Sequence, residues 1–192
     1  MSLKHILLGM LNEPASGYDI KKCLNNSLQH FWAANLSQIY PQLGNMEAEG
    51  LLRSRMSDSD RGPQRRLYRR TAKGTRELKN WLAEGPHMSE ERRHFLAQVF
   101  FLDALGDGEQ ARAFMQSLRE QMSGKLEALQ AAEEAWRDRD SRYPDNLPDD
   151  GFYPQLTLAL GQKIFATYVE WCDECLERIQ ARESGSRERQ GA

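Results

Sequence analysis

The sequence predicts a mainly α protein in two parts, a winged helix-turn-helix over residues 1–85 followed by a domain of long helices over residues 86–182. Three observations predict it. Apolar residues recur at spacings of three and four through most of the chain, two short extended segments flank a polar turn between residues 51 and 71, and charge is segregated by position. The 192 residues include 26 Lys and Arg and 28 Asp and Glu, a formal charge of −2. Residues 1–85 hold 13 basic and 8 acidic side chains, whereas residues 86–192 hold 13 and 20. A near-neutral total excludes a wholly basic nucleic-acid coat, while the asymmetry points to a polyanion-facing module joined to one with another task. At 40% apolar residues, the chain can build one large core or two small ones.

Leu3, Ile6, Leu7, Met10 and Leu11 share one helical face, so residues 3–11 read as a short amphipathic helix, broken by Asn12-Glu13-Pro14. Ser16 lies three residues before Asp19, a capping-box start for a second helix. Its apolar face is Ile20, Cys23, Leu24 and Leu28, with Lys21 and Lys22 towards solvent. A third helix spans residues 35–49, with Leu36, Ile39, Leu43 and Met46 inward and Gly50 as its stop. Pro41 is in tension with it, because a missing backbone donor is tolerated only within about the first turn. Asn35, Ser37, Gln38, Tyr40, Gln42 and Asn45 face outward. The amides among them donate and accept at once, which suits the edges of bases and of adenine above all.

Residues 51–56 and 66–71 form a hairpin around a polar loop containing Gly62-Pro63, and Thr71 caps a fourth helix through Glu84 with Leu78, Trp81 and Leu82 on its apolar side. Gly74 weakens that helix by about 1 kcal/mol relative to alanine. Helix, helix, helix, hairpin, helix is the order of a winged helix-turn-helix, whose third helix enters the major groove while the wing reaches phosphates or the minor groove. Ten basic and three acidic residues lie between Arg53 and Lys79. Arg61, Arg65, Arg66, Arg69 and Arg70 are too dense to be left without a polyanion, and Arg61, Arg65 and Arg66 are the expected phosphate contacts.

The motifs Ile6-Leu7-Leu8-Gly9-Met10-Leu11, Ser16-Gly17-Tyr18-Asp19-Ile20, Gln38-Ile39-Tyr40-Pro41-Gln42-Leu43, Glu49-Gly50-Leu51-Leu52 and Tyr68 with Thr71-Ala72-Lys73-Gly74 resemble the winged-helix domain of PadR transcriptional regulators. Five blocks in order span nearly all of residues 3–83, with Met46 standing where a leucine or similar apolar residue is expected. The resemblance implies a dimeric, cytoplasmic, sequence-specific regulator of double-stranded DNA, most often a repressor.

In the second part, residues 89–105 carry Phe95, Leu96, Val99, Phe100, Leu102 and Leu105 as one helix. Residues 109–137 form a coiled-coil-like seam through Ala111, Met115, Leu118, Met122, Leu126, Leu129, Ala132 and Trp136, roughly 44 Å long at 1.5 Å per residue. Residues 138–151, acidic and holding two prolines, read as an exposed loop. A last helix over 152–182 carries Phe165, Tyr168, Trp171, Cys172, Cys175, Leu176 and Ile179, and residues 183–192 read as a disordered tail without an apolar period. Such wide apolar faces would aggregate if left bare, so a homodimer is expected. Its contacts are expected from Met115, Leu118, Met122, Leu126, Leu129, Trp136, Phe165, Tyr168, Trp171, Cys172 and Leu176. The block from Phe95 to Leu105, with Leu160-Gly161 and Trp171, resembles the AphA-like subgroup of the PadR family. That resemblance implies an antiparallel helical arm used for dimerisation.

Other chemistries are weaker readings. Cys172-Asp173-Glu174-Cys175 puts two sulfurs on one face, but zinc needs four ligands and no second pair accompanies them. Helical packing explains them, with a redox- or metal-responsive regulator as the alternative. His5, His30, His87 and His94 show no paired spacing for a metal, and no nucleophile elbow, phosphate loop or HExxH is present, so neither an enzyme nor a cofactor is expected. Trp136, Phe165, Tyr168 and Trp171 leave room for a small-molecule effector between subunits. The absence of a membrane-length apolar run and of a cleavage site places the chain in the cytoplasm. A helical adaptor whose winged helix binds protein competes with the DNA reading; it would show no salt-sensitive DNA affinity.

Overall fold

Leu7, Leu8 and Leu11 have no exposed surface, and around them the first half of the chain assembles. The computed structural model describes residues 3–28, 31–57, 65–88 and 93–190, and the chain divides into two units, Met1–Glu91 and Arg92–Ala192. In the first, α1 (Leu3–Met10), α2 (Gly17–Cys23) and α3 (Leu36–Ala48) precede strands β1 (Leu52–Met56) and β2 (Arg66–Arg70) and helix α4 (Ala72–Ala83). The strands are antiparallel, with Leu52 opposite Arg70, Ser54 opposite Tyr68 and Met56 opposite Arg66. Ile20, Leu24, Ile39, Leu43, Met46, Leu51, Leu52 and Tyr68 complete the core. Burying each aliphatic side chain there contributes about 1.5–3 kcal/mol.

The Ser16–Asp19 capping box is present: the Ser16 N–H donates to Asp19 Oδ2 at 3.0 Å and the Asp19 N–H to Ser16 Oγ at 3.2 Å. The Ser16 hydroxyl, which donates to Asp19 Oδ2 at 2.6 Å, and then the Ser16 N–H hold the Asp19 carboxyl below the usual carboxylate range. Other details differ from expectation. The second helix relaxes into a π turn over Leu24–Leu28, and Cys23 is exposed rather than packed. Lys21 folds inward to donate to the Ala34 carbonyl at 2.8 Å, closing the segment between α2 and α3. Pro41 lies past the first turn of α3, yet the helix continues through it. Ser37, whose carbonyl loses its helical donor there, is exposed, so water can take the donor's place. Ala15 and Tyr68 exchange backbone bonds of 3.0 and 2.9 Å, tying the segment between α1 and α2 to the wing.

His5 on α1 stacks on Trp81 of α4, with centroids 4.7 Å apart, and Trp81 in turn stacks on His87. Burial, and then the neighbouring Lys4 cation, lower the His5 pKa despite Glu77 and Glu84 nearby. The unfolded chain therefore binds more protons below about pH 6.5, so stability is retained above that pH and lost as the pH falls through it. Denaturant titrations on either side of this pH should show the loss, and His5→Phe should flatten it. An unchanged slope in His5→Phe would assign the dependence to other groups.

The second unit comprises α5 (His94–Phe100), a 3₁₀ turn Leu102–Leu105 closed by Gly106 at φ +64°, and helices α6 (Gly108–Arg139) and α7 (Asp149–Gln190). Of the helix expected over 89–105, residues 89–92 lie outside the described residues, and the rest is a helix from His94 to Phe100 that ends in a tight turn. Helices α6 and α7 run antiparallel. Arg112 pairs with Glu183 at 3.7 Å and Arg119 with Asp173, and Gln162 reaches the Leu129 carbonyl at 3.3 Å and Glu133 at 2.7 Å.

This hairpin changes the reading of the apolar seam. Met115, Leu118, Met122, Leu129, Phe165 and Cys172 are buried within one chain, and Leu126, Trp136, Tyr168, Trp171 and Leu176 pack half-buried against them. The residues expected at a subunit interface therefore mainly join α6 to α7, because a heptad stripe records burial and not which chain supplies the cover. Apolar surface is exposed elsewhere, at Leu96, Phe100, Phe101 and Leu105 and at Phe152, Tyr153, Leu156 and Leu160.

Two further segments differ. Residues 138 and 139 belong to α6 and 149–151 to α7, which shortens the expected 138–151 loop. Tyr143 inside it is buried, its ring 5.5 Å from Trp136 and its hydroxyl donating to Glu133 at 3.0 Å. The expected disordered tail is helical as far as Gln190, with residues 191–192 outside the described residues. Glu183 anchors it, lying against the Arg112 guanidinium and so close to Gly108 at the start of α6 that a Cβ there would meet its carboxylate at 2.5 Å.

Candidate nucleic-acid interface

Helix α3 presents a helical face that the core does not claim. Ile39, Leu43 and Met46 are buried, and the opposite side shows Ser37, Gln38, Pro41, Gly44, Asn45 and Ala48, all exposed. Asn35 and Tyr40 are also exposed, whereas Gln42 is half-buried at the border of the core. Ser37, Gly44 and Ala48, with Pro41, keep this face low, so another backbone can come close. A Cβ added at Gly44 would meet nothing within 4 Å.

Two of the expected base readers have structural work. The Asn35 N–H donates to Gln38 Oε1 at 2.9 Å, closing the first turn of α3, so Gln38 has its amide NH₂ to offer outward. The Tyr40 ring lies on the Cα of Gly17, where a Cβ would meet its Cε1 at 2.6 Å. Tyr40 thus braces α3 against the start of α2 while remaining 47% exposed. Asn45 and Ser37 are exposed and carry no such task among the bonds above.

The wing arginines separate into two kinds. Arg70 is a structural cation: it donates to the Leu8 carbonyl at 2.7 Å, to Asn12 Oδ1 at 3.1 Å and to Thr75 Oγ1 at 3.1 Å, sealing the end of α1. Arg69 donates to the Asn12 carbonyl at 3.1 Å and sits 3.9 Å from Glu13. Arg66 pairs with Glu47 of α3 at 2.5 Å and lies over the Tyr68 ring at 5.4 Å. The density of this cluster is therefore met partly by carbonyls and carboxylates of the protein itself, and Arg66 is not the unpaired cation that its sequence position predicts.

Arg65 is 56% exposed and only 4.0 Å from Asp19, so it keeps most of its charge for solvent. Arg61 lies outside the described residues. Arg53 and Arg55, which were not singled out in the sequence, alternate along β1 on the exposed face beside Leu67 and Arg69, where a small cleft also touches Pro14. Strand alternation was the signal that could have found them.

In the second unit a cleft of about 1090 Å³ is lined by Val99, Leu102, Met115, Cys175, Arg178 and Ile179, among others. It does not involve the expected aromatics Trp136, Phe165, Tyr168 and Trp171. Those pack on other rings, Phe95 meeting Tyr168 at 5.6 Å and Trp171 at 6.5 Å. Burial pushes both the Cys172 and Cys175 thiols up, away from the thiolate form that redox chemistry requires. Among the described residues no group of three or more His, Cys, Asp or Glu side chains could hold a metal, and no helix is long and apolar enough to cross a membrane.

Comparison with known proteins bears on this arrangement. Residues 6–80 match the transcriptional regulator PadR-like family and residues 91–180 the virulence activator alpha C-terminal family. The negative transcriptional regulator PadR of Bacillus subtilis is 31% identical over 179 residues, covering 92% of this chain and 97% of its own. Its crystal structure in complex with operator DNA superposes with a TM-score of 0.81 at 28% identity, over 92% of this chain and 97% of that one. The same protein in complex with p-coumaric acid gives 0.73 at 28% identity, over 93% and 95%. The virulence activator AphA of Vibrio cholerae gives 0.70 at 25% identity, over 94% and 99%. With a winged helix in its first unit, an antiparallel helical hairpin in its second and a relative of this identity along nearly its whole length, the chain belongs to the PadR family of transcriptional regulators.

Proposed function

We propose that the chain is a cytoplasmic repressor that occupies operator DNA as a two-fold dimer, with α3 in the major groove and the wing on the phosphate backbone. The observation that carries this reading is the exposed, low-relief face of α3 bearing Gln38 and Asn45 beside a wing that exposes Arg53, Arg55 and Arg65. Amides read base edges and guanidinium groups neutralise phosphates. Ser37 lies on the reading face, Asn35 and Gln42 flank it, and Tyr40 acts chiefly through its brace on Gly17. The operator complex of the Bacillus subtilis relative supports the DNA reading, and that relative's description as a negative regulator supports the sign.

Sequencing the genomic fragments retained by the purified protein tests the reading and yields the operator. A reporter behind that operator should be silenced by the protein. No enriched fragment would refute DNA recognition, and a raised reporter would reverse the sign. Gly44 offers a sharper check. Gly44→Leu adds a side chain with open space around it and a better helix former, so stability should rise by up to about 1 kcal/mol. The same side chain would hold the helix off the groove floor, so operator affinity should fall by about tenfold or more. Unchanged affinity in a stable variant would remove this face of α3 from the groove.

Dimerisation falls to the second unit. Leu96 and Phe100 on α5, with Phe101, form one exposed apolar patch, and Phe152, Leu156 and Leu160 form another along the first turns of α7. A two-fold axis lets the first patch of each subunit meet the second patch of its partner, covering both twice. The p-coumaric acid complex of the same relative supports a small aromatic acid as effector; the cleft beside Arg178 sets apolar Val99, Met115 and Ile179 among both cations and the carboxylates of Asp103, Asp107, Glu109 and Glu183. Titration with p-coumaric acid should release bound operator; retention at saturating acid would exclude this ligand.

A further inference from the structure

Glu47 has both carboxylate oxygens engaged by the wing. Ser54 Oγ donates to Glu47 Oε1 at 2.6 Å, Arg66 Nη2 donates to Glu47 Oε2 at 2.5 Å, and Arg66 Nε donates to Ser54 Oγ at 2.8 Å. The three side chains come from the last turn of α3, from β1 and from β2, and together close a ring of hydrogen bonds. Ser54 both gives and accepts within it, and the Arg66 guanidinium is further seated over the Tyr68 ring, which is itself core. A carboxylate near a phosphate backbone is a repulsive group, and an arginine on a wing is an attractive one. Here each cancels the other.

We infer that Glu47, Ser54 and Arg66 form a positioning clamp that sets the reading helix at a fixed distance from the wing, and that Arg66 serves this clamp instead of a phosphate. The inference rests on the DNA-binding reading above. A helix in one groove and a wing on the backbone must engage together, so a wing free to swing would bind charge on any sequence while losing register with the bases. Moving Arg66 to a phosphate would strand Glu47 without its cation beside the DNA, which the network geometry disfavours. A partly exposed ion pair adds little to global stability, so variants of the clamp should fold.

The test uses the full-length protein, the duplex that it selects from a random library, and a scrambled duplex of the same composition, each titrated with salt. Glu47→Gln decides by the ratio of the two affinities. If Glu47 were merely a surface acid, its removal would tighten binding to both duplexes equally and leave the selected-to-scrambled ratio unchanged; a clamp predicts that the ratio narrows by about tenfold. Arg66→Ala should narrow the ratio similarly while leaving the salt slope unchanged, and the double variant should be no worse than either single one. A slope lower by about 0.9 in Arg66→Ala would place Arg66 on a phosphate and overturn the inference.

Amide exchange in the free protein gives a readout independent of DNA. Residues 52–56 and 66–70 should exchange about tenfold faster in Glu47→Gln than in the parent, with α1 unaffected. Equal exchange would refute the clamp even if the parent binds its operator. If the parent selects no duplex, the proposed function fails, and faster wing exchange would still establish that the three side chains hold the wing.

Discussion

Replacing Gly74 with alanine is expected to destabilise the first unit by about 2 kcal/mol, although alanine is the better helix former by about 1 kcal/mol. Gly74 is buried in the first turn of α4, where a Cβ would stand 2.3 Å from the Leu51 carbonyl oxygen and 3.0 Å from Leu8 Cδ2. The oxygen is backbone and cannot step aside, because the Leu51 carbonyl also accepts the Thr71 N–H at 3.0 Å. That bond and the Thr71 hydroxyl, which donates to the Gly50 carbonyl at 2.8 Å, pin the start of α4 to the end of α3. Adding a methyl group would push α4 away from α1 and the wing. Denaturant titration of the full chain should show an early loss of the transition that reports the first unit. Equal or greater stability would mean that α4 can shift at no cost and that its contact with the Leu51 turn is loose. Gly44→Ala, in open space, is the matched control and should stabilise.

The second large effect is expected from the exposed aromatic pair. Phe100 and Phe101 are 78% and 64% exposed, so charging them should leave the fold of a single chain intact. If α5 docks on a second copy, the double variant Phe100→Asp/Phe101→Asp should sediment as a monomer. Its operator affinity should fall about a hundredfold or more, because a dimer binds its second half-site at a high effective concentration. Leu156→Asp with Leu160→Asp on α7 should give the same result if the two patches meet across the two-fold axis. Dimers that persist in both variants would move the interface away from these patches. A dimer lost only in the α5 variant would instead have α5 meet its own copy.

The first unit was largely legible because its signals are local. Ser16 three residues before Asp19, the i and i+4 spacing of Ile39 and Leu43, and the short apolar strands each specify an element without reference to the rest of the chain. The site was less legible. The wing arginines look equivalent in sequence, yet Arg70 and Arg66 are bound to the end of α1 and to Glu47 while Arg53 and Arg65 face solvent. Such partners lie between 19 and 62 positions away, and no spacing rule reaches that far. Gln38 likewise reads as an outward amide, but its Oε1 caps its own helix.

In the second unit, periodicity located both long helices and their apolar stripes, and it could do no more. Met115, Leu118, Met122 and Phe165 would show the same stripe whether α6 met α7 of its own chain or a helix of another. The turn through buried Tyr143 folds the chain back on itself, and that return covers the stripe and leaves Phe100, Phe152 and Leu156 as the open apolar surface. Local pattern specified most of the helices, the hairpin and the net positive balance of the first 85 residues, and its motifs carried the family resemblance. Only the folded arrangement shows that Arg66 and Arg70 are engaged, why Gly74 has no room for a side chain and which apolar residues stay exposed. The physical reason is that a side chain's intrinsic chemistry and its helical phase are local properties, whereas its partner and the space beside it are set by whatever distant backbone the fold brings into contact.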